Sequence, residues 1–293
     1  MSPAAPPPRR YGLGLLGFPV GHSASPAMHR AALTMAGLDG DYLLWPVPQA
    51  DALDGFFARL RSGKIAGANV TIPWKVEAVH RCDELTGDAR IIGAVNTLVA
   101  DATGRIIGHN TDASGLAISV VESFQDHVFR GAQVTVIGAG GAARSAIVAA
   151  QRLGVNEVRV YNRTAEKARA VCESLGLGTP FADLEAALAG SNLVLQASAL
   201  GFNLADDETD ALAADLVTPL RGLAPGAALY DLVYKPSPTA WMLAAGRCGF
   251  EAVDGLGMLV HQAARAFAIW TGYEPDPQVM LAAARAQLAS LAG

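Results

Sequence analysis

One short segment limits the fold of this chain more than any other. Val134 to Ile137 reads as a β-strand, and an alanine-rich helical stretch runs on to Ala150. Between them lies the GxGxxA form of the dinucleotide-binding turn, made of Gly138, Ala139, Gly140, Gly141, Ala142 and Ala143. A turn tightened only for packing would look similar, but a second strand, Glu157 to Tyr161, follows in the order that the motif requires. The segment therefore predicts a Rossmann-type unit that binds a dinucleotide through these six residues.

The end of the second strand indicates which dinucleotide is bound. An NAD-binding protein places a carboxylate there, against the ribose 2′-hydroxyl. This chain instead has Asn162, Arg163 and Thr164, with Lys167 close behind. A guanidinium can stack on adenine and hold a 2′-phosphate through its planar fork, with Thr164 and Lys167 as further donors. The alternative is an ordinary solvated pair of cations, but the pattern favours NADP.

The whole chain alternates short apolar runs with amphipathic stretches, which predicts an α/β fold with mainly parallel sheets. One series of strands starts at Tyr11, and a second starts at Gln133. Between them, Val95 to Ala100 and Arg105 to His109 flank a turn-forming stretch and predict a hairpin at the edge of the first sheet. The sequence therefore predicts two domains, the second of Rossmann type.

Composition excludes several classes of partner. The chain of 293 residues is 51% hydrophobic and 17% charged, with a net charge of −5. It has neither a basic field for nucleic acid or anionic lipid nor an apolar run long enough to cross a membrane. Its three cysteines are scattered and lack histidines at metal-ligand spacing, which predicts reduced thiols, no metal site and a cytoplasmic location.

Two stretches of the first series carry polar residues where a ligand could bind. Ser23 and Ser25 precede a predicted helix, with Ser25 as N-cap and Pro26 as first helical residue, so two hydroxyls lie at a positive helix end. Lys75 follows the strand that carries Thr71, and ligands of parallel sheets bind beyond the carboxyl ends of strands. Taken alone, these residues are better explained as a capping serine and a solvated lysine.

Asn96 and Asp112 also stand at the ends of apolar runs, where helix or turn capping is the common explanation. The motifs taken together decide more. From about Gly17 to Trp270 the chain resembles the shikimate dehydrogenase family in eight stretches, in that family's order: GFPVGHSASP, GANVTIPWK, GAVNT, GHNTDASG, GAGGAARS, NRT, DLVYKPSPT and DGLGMLVHQA.

The resemblance implies a substrate-binding domain of residues 1–112 and 250–293, an NADP-binding domain of residues 113–249, and an active site in the cleft between them. Ser23 and Ser25 would hold the substrate carboxylate. Thr71, Asn96 and Gln262 would hold ring hydroxyls, and Tyr234 would lie near the substrate and the nicotinamide. Gly255 would join the cofactor-binding residues already named.

The implied reaction is the reversible NADP-dependent reduction of 3-dehydroshikimate to shikimate, in the synthesis of chorismate and the aromatic amino acids. Lys75 and Asp112 would be its catalytic pair, because a donor must stabilise and protonate the carbonyl oxygen and an ammonium in a closed site needs a counter-charge. The small-molecule substrate is the expected partner, and a homodimer is left open.

Three positions depart from the family pattern: Arg30, Gln196 and Phe202. The last two would lie near the nicotinamide. The nearest alternative is a quinate/shikimate dehydrogenase with relaxed substrate or NAD use, although the retention of Ser25 and Thr71 favours shikimate. A non-catalytic ligand sensor on the same fold is the more distant alternative, and the presence of both Lys75 and Asp112 disfavours it.

Overall fold

The computed structural model describes residues 10–124, 129–201 and 204–291. These residues divide into two compact units. Unit 1 takes residues of 1–111 and 263–293, and unit 2 takes residues of 112–262.

The described residues form the following strands and helices. The strands are β1 (Tyr11–Gly17), β2 (Gly40–Pro46), β3 (Gly67–Val70), β4 (Glu84–Leu85), β5 (Thr97–Ala100), β6 (Ile106–His109), β7 (Gln133–Ile137), β8 (Glu157–Tyr161), β9 (Thr179–Phe181), β10 (Leu193–Gln196), β11 (Ala228–Asp231) and β12 (Glu251–Val253). The helices are α1 (Ser25–Met35), α2 (Asp51–Arg61), α3 (Gly87–Ile92), α4 (Asp112–Ser123), α5 (Gly141–Arg152), α6 (Ala165–Leu175), α7 (Leu184–Leu188), α8 (Asp206–Leu220), α9 (Ala240–Arg247), α10 (Leu256–Thr271) and α11 (Pro277–Ser290). A short 3-10 helix covers Glu77–Arg81.

The sheet of unit 1 runs in the order β2-β1-β3-β5-β6-β4. β1 pairs in parallel with β2 and β3, and β4 with β6, whereas β5 is antiparallel to both of its neighbours. The expected hairpin of β5 and β6 is therefore present. Its expected place at the edge is wrong, because the two-residue strand β4, too short to give a sequence signal, pairs outside it.

Helix α2 shows how sequence patterning builds the core of unit 1. Its buried residues recur at helical spacing along one face: Leu53, Phe56, Phe57 and Leu60. Acidic residues occupy its first turn and arginines its last turn, which suits the helix dipole. The buried face packs in one cluster with Leu16, Ala68 and Leu98 of the sheet.

The sheet of unit 2 is parallel throughout its described pairs, in the order β12-β11-β10-β7-β8-β9. Numbered within the unit, this is the Rossmann order 3-2-1-4-5-6 read from the other side. The two outermost strands, β9 and β12, do not stand out in the sequence because each has only three residues. The predicted α/β architecture with a Rossmann-type second domain is confirmed.

The unit boundaries differ from the domain boundaries expected from sequence. β12 pairs with β11, so the second sheet continues beyond residue 249. Residues 250–262, expected with the substrate domain, belong to unit 2, and the division falls within α10. The other division falls between Thr111 and Asp112.

No helix in the described ranges is both long enough and apolar enough to cross a membrane.

Candidate active site

The glycine turn after β7 is shaped first by Gly138. Its φ of +121° lies in a region that L side chains rarely adopt. A Cβ on Gly138 would also stand 2.8 Å from the carbonyl oxygen of Ala197, which follows the neighbouring strand β10. The Gly138 N–H donates to the carbonyl of Tyr161 at 2.7 Å, which ties the turn to the end of β8. Conformation and packing both require glycine at this position.

Gly140 is different, because neither conformation nor packing requires glycine there. It is the N-cap of α5 with φ −89°, which any residue adopts, and a Cβ on it would meet no described protein atom within 4 Å. Gly141, Ala142 and Ala143 open the helix, and Ala143 is fully buried against the unit. No described side chain caps α5, so its positive end faces the space beside Gly140. A helix start of this kind can bind an anion such as the pyrophosphate of a dinucleotide.

The turn between β8 and α6 carries the residues expected at the 2′-phosphate. The Asn162 Nδ2 donates to the carbonyl of Thr164 at 2.9 Å and closes the turn. The side chains of Arg163, Thr164 and Lys167 are exposed, so they are accessible to a ligand. The first turn of α6 also holds Glu166, which partly offsets the cations at the helix start. None of the three residues between β8 and α6, all of them described, is a carboxylate.

The switch point of the second sheet lies between β7 and β10, which are neighbours although β8 and β9 separate them in sequence. Dinucleotides bind across the crevice at such a point. Gly138 follows β7, and Gln196 is the last residue of β10. Phe202, the other position that departs from the family pattern beside the nicotinamide, lies outside the described residues.

The loop after β11 brings Tyr234 close to Gly255 in unit 2. The Gly255 N–H donates to the carbonyl of Val233 at 3.1 Å, and a Cβ on Gly255 would clash with the carbonyl oxygen of Leu232. Asp231 accepts from the Val233 N–H at 3.0 Å and fixes the start of the loop. Burial raises the pKa of the Tyr234 phenol. Both residues expected at the cofactor or the substrate therefore lie at the carboxyl edge of this sheet.

In unit 1 the two serines stand at the start of α1. The expectation that Ser25 is the N-cap is wrong by one residue, because Ala24 already has helical backbone angles and Ser25 is the first residue of the helix. Ser25 is buried, and its N–H donates to the Ser23 Oγ at 3.2 Å. The two side chains thus stand together at the positive end of α1.

Thr71, Lys75 and Asn96 share the edge of the first sheet at which β1 and β3 end. The main chain connects them closely: the Val70 N–H donates to the Asn96 carbonyl at 2.8 Å, and the Val95 N–H donates to the Lys75 carbonyl at 2.7 Å. Because β5 is antiparallel to β3, Asn96 stands just before β5 at the same edge. The structure therefore brings these three expected residues together within unit 1.

Buried side chains behind that edge fix the Asn96 carboxamide. Tyr42 Oη donates to Asn69 Oδ1 at 2.8 Å, and Asn69 Nδ2 donates to Thr97 Oγ1 at 3.1 Å. Thr97 Oγ1 then donates to Asn96 Oδ1 at 3.0 Å, and the Thr111 N–H donates to the same oxygen at 2.9 Å. The amide orientation of Asn96 is thus set by a chain of donors in one direction.

Asp112 and Gln262 lie close together in unit 2. Asp112 is the first residue of α4 and is only 3% exposed. One turn later, a Cβ on Gly115 would stand 2.7 Å from the Gln262 backbone nitrogen, so α4 and α10 touch there. The Gln262 Nε2 donates to the Leu259 carbonyl at 2.7 Å. Because α4 touches Gln262 at Gly115, Asp112 lies about one helical turn along α4 from this contact.

Comparison with protein-family models gives three matches along the chain. Residues 15–98 match a model described as the shikimate dehydrogenase substrate binding domain. Residues 120–208 match shikimate / quinate 5-dehydrogenase, and residues 255–285 match the shikimate 5′-dehydrogenase C-terminal domain.

Full-length relatives decide the family. The chain is 42% identical over 275 residues to a shikimate dehydrogenase (NADP(+)) of Methylobacterium radiotolerans, and the match covers 90% of this chain and 92% of the relative. The chain belongs to the shikimate dehydrogenase family. The membership predicted from the eight motif stretches is thereby confirmed.

Solved structures of the shikimate dehydrogenase family share the fold. The enzyme of Thermus thermophilus in complex with NADP(H) and shikimate has a TM-score of 0.81 and 35% identity, covering 95% of this chain and all of the other. A quinate dehydrogenase of Corynebacterium glutamicum in complex with NAD has a TM-score of 0.80 and 28% identity, covering 95% of this chain and all of the other.

Sequence reasoning missed the buried residues that hold the expected site residue Asn96 from behind. Tyr42 and Asn69 orient Asn96, yet neither belongs to the expected site residues. Asn69 did carry a signal, because it stands between apolar residues in a fully buried strand and a buried carboxamide needs partners. Gln196 stands out in the sequence only as a departure from the family pattern. Its hydrogen-bond partners could be identified only from the structure.

Proposed function

We propose that this chain catalyses the reversible NADP(H)-dependent interconversion of 3-dehydroshikimate and shikimate, a step in the formation of chorismate and the aromatic amino acids. The observation that carries the proposal is the open seat beside Gly140 at the start of α5. The exposed cations that follow the next strand support NADP in particular. The named relatives, one of them a shikimate dehydrogenase solved in complex with NADP(H) and shikimate, support the substrate.

For the cofactor, we propose that the first turn of α5 binds the pyrophosphate through backbone N–H groups. The residues involved are Gly138, Ala139, Gly140, Gly141, Ala142 and Ala143. Asn162, Arg163, Thr164 and Lys167 would surround the adenosine 2′-phosphate, and Gly255 would stand near the nicotinamide end. Bound NADPH supplies the hydride.

For the substrate, we propose that Ser23 and Ser25 hold the carboxylate, since their hydroxyls stand at the positive end of α1. Thr71, Asn96 and Gln262 would bind the ring hydroxyls, and Tyr234 would lie near the bound substrate and the nicotinamide. The anchored amide of Asn96 supports this role, because a fixed donor selects a hydroxyl position better than a rotating one.

For the chemistry, we propose that Lys75 donates a proton to the carbonyl oxygen as it gains negative charge, with Asp112 as its counter-charge. Stabilising and protonating one oxygen are both within the capacity of an ammonium group. The motif match of these two positions to the family supports the assignment. The protein otherwise contributes alignment and the exclusion of water.

A second candidate is a quinate/shikimate dehydrogenase with relaxed substrate or NAD use. The name of the central family model and the structural likeness to the Corynebacterium glutamicum quinate dehydrogenase favour it. The absence of a carboxylate from the described turn between β8 and α6 favours NADP over NAD.

We also propose that unit 1 binds the substrate and that unit 2 binds the cofactor. Most of the residues expected at each ligand are divided between the units in this way. The exceptions are Asp112, Tyr234 and Gln262, which are expected at the substrate but belong to unit 2. A cytoplasmic location is supported by the three free cysteines. A homodimer stays a prediction, which sedimentation velocity can check.

The proposal is tested by following NADPH absorbance in an assay that crosses shikimate and quinate with NADP and NAD. We expect activity with shikimate and NADP; activity only with quinate and NAD would overturn the assignment. Lys75→Ala should lower kcat by about a hundredfold or more with a smaller change in substrate KM. Lys64→Ala, which removes an exposed lysine of the same unit, is the control and should leave kcat unchanged.

The 2′-phosphate site has its own test. Arg163→Ala should weaken the binding of NADP far more than the binding of NAD, because only NADP carries the 2′-phosphate that the guanidinium would hold. Arg169→Ala removes an exposed arginine of α6, the helix that follows Arg163, and should change the affinity for neither cofactor. Equal loss of both cofactors in Arg163→Ala would refute the phosphate role.

A further inference from the structure

Gln196 ends the strand β10 at the switch point of the second sheet, and its side chain is fully buried. The two residues before it, Val194 and Leu195, are buried apolar residues of the same strand. A carboxamide in such a place costs free energy unless all of its polar atoms have partners. The hydrogen-bond partners of the Gln196 side chain therefore indicate its role.

The Gln196 carboxamide holds the turn that follows it. Its Oε1 accepts from the Ser198 N–H at 2.6 Å, and its Nε2 donates to the carbonyls of Ser198 and Leu200, both at 3.2 Å. The Ser198 Oγ accepts from the Leu200 N–H at 3.2 Å. Three backbone groups of one short turn are thus fixed by a single side chain from inside the sheet.

The turn held in this way packs directly on the glycine turn. The peptide group that joins Ala197 to Ser198 has its N–H on Gln196 and its carbonyl beside Gly138, 2.8 Å from where a Cβ would stand. Gly138 itself is anchored on its other side by its N–H bond to Tyr161. A shift of that peptide would move the start of the glycine turn.

We propose that Gln196 is a positioning residue for the cofactor: it holds the turn of residues 197–201 against Gly138 and so fixes the backbone that receives NADP(H). The inference rests on the proposed cofactor site. The same turn presents Leu200, which is 45% exposed although apolar, at the carboxyl edge of the sheet where the nicotinamide half of a dinucleotide lies. Gln196 acts through this turn and not by contact with substrate.

The structure offers a matched control at the opposite edge of the same sheet. Gln133 is the first residue of β7, and its Nε2 donates to the Ala189 carbonyl at 2.9 Å and to the Ser191 Oγ at 3.0 Å. It holds a loop at the amino ends of the strands, away from the edge where dinucleotides bind. Substitution of Gln133 should therefore lower the free energy of unfolding, as substitution of Gln196 does, but it should not weaken cofactor binding.

The test compares Gln196→Met, Gln196→Asn and Gln133→Met. Methionine keeps length and volume but removes all three hydrogen bonds, so Gln196→Met should weaken NADP binding by about tenfold. Asparagine can still accept from the N–H two residues ahead, as in an Asx turn, so Gln196→Asn should stay within about threefold of the parent. Gln133→Met should bind NADP as the parent does.

The measurements are NADP affinity by isothermal titration calorimetry, KM and kcat in the shikimate assay, and unfolding by urea. We expect Gln196→Met to change the KM for NADP more than the KM for shikimate. Unchanged NADP affinity in Gln196→Met, or an equal loss in Gln133→Met, would overturn the inference. If Gln196→Met does not fold, Gln196→Leu decides, because leucine also removes all three hydrogen bonds. A loss of NADP affinity of about tenfold in Gln196→Leu supports the inference, and an affinity within about threefold of the parent refutes it.

The outcome is separable from that of the proposed function. If Arg163→Ala leaves NADP binding unchanged, the proposed cofactor site fails. If Arg163→Ala weakens NADP binding but Gln196→Met does not, only the positioning role fails.

Discussion

Gly138 and Gly140 belong to one motif, but the structure indicates different reasons for glycine at the two positions. Gly138 is required by its backbone angle and by the nearby Ala197 carbonyl, both parts of the protein. Gly140 has an ordinary backbone angle and open space beside it, so neither of these requires glycine there, and the reason that we propose is the bound pyrophosphate. Alanine at each position therefore separates a folding role from a binding role.

The magnitudes follow from the local geometry. At Gly140 an added methyl group reduces the entropy of the unfolded chain and stabilises by about 0.4–1 kcal/mol. Alanine is also a poorer N-cap than glycine, by about 0.5–1 kcal/mol, so the two effects nearly cancel. At Gly138 the left-handed angle costs about 1–3 kcal/mol, and the crowding against Ala197 adds to it. Gly138→Ala should thus lose at least about 2 kcal/mol of unfolding free energy, and Gly140→Ala almost none.

Gly140→Ala should weaken NADP binding although it leaves the free energy of unfolding almost unchanged. The methyl group would occupy the proposed pyrophosphate seat and displace one charge-assisted hydrogen bond, worth about 1.5–3 kcal/mol. That corresponds to a loss of NADP affinity of about 10- to 100-fold. The assay pairs urea unfolding of the protein without cofactor with calorimetric titration of NADP. Unchanged NADP affinity in Gly140→Ala, or a stability loss equal to that of Gly138→Ala, would refute this interpretation of the turn.

Two further predictions concern stability. Burial raises the pKa of Asp231 to about 7, against the hydrogen bonds from Thr239 and a backbone N–H that lower it. The folded state therefore keeps this proton more tightly than the unfolded chain, and between about pH 4 and 7 the group makes stability fall as pH rises, by up to about 1.4 kcal/mol per pH unit. Asp231→Asn should remove that slope in urea unfolding measured across this range; a slope equal to the parent's would contradict it. Gly67→Ala should cost about 1–3 kcal/mol of unfolding free energy, because its Cβ would clash with the Trp270 indole, which is held by a 3.0 Å bond to the Leu98 carbonyl; an unfolding midpoint like that of the parent would show that the ring can move aside.

The local parts of the fold were predictable because their signals are local. The glycine turn, the strand before it and the helix after it are adjacent in sequence, and the structure forms them as expected. The strands β9 and β12 were not predictable, since three residues show no period and their pairing depends on neighbours far along the chain. The start of α1 was wrong by one residue, which is ordinary for helix ends.

The positions of the proposed ligand-binding residues in the fold could be predicted, but those of the residues that support them could not. Lys75 and Asn96 could be placed at strand ends by pattern and resemblance. The donor chain from Tyr42 through Asn69 joins residues 27 positions apart, and the contact of Gly115 with Gln262 joins two helices still farther apart. Such contacts depend on register and helix packing, which periodicity does not encode.

The helix starts explain why the proposed ligands suit this fold. Parallel strands end at one edge, and each helix that follows such a strand begins at that edge with its positive end. α1 follows β1 behind Ser23, α5 follows β7 at Gly140, and α6 follows β8 at Thr164. The proposed ligands carry three anionic groups to match: a ring carboxylate, a pyrophosphate and a 2′-phosphate. The net charge of −5 does not oppose their binding, because at contact distance local N–H donors outweigh distant screened charges. Recognition of each anion would thus need only backbone geometry plus one or two side chains, of which we expect Arg163 to distinguish the cofactors.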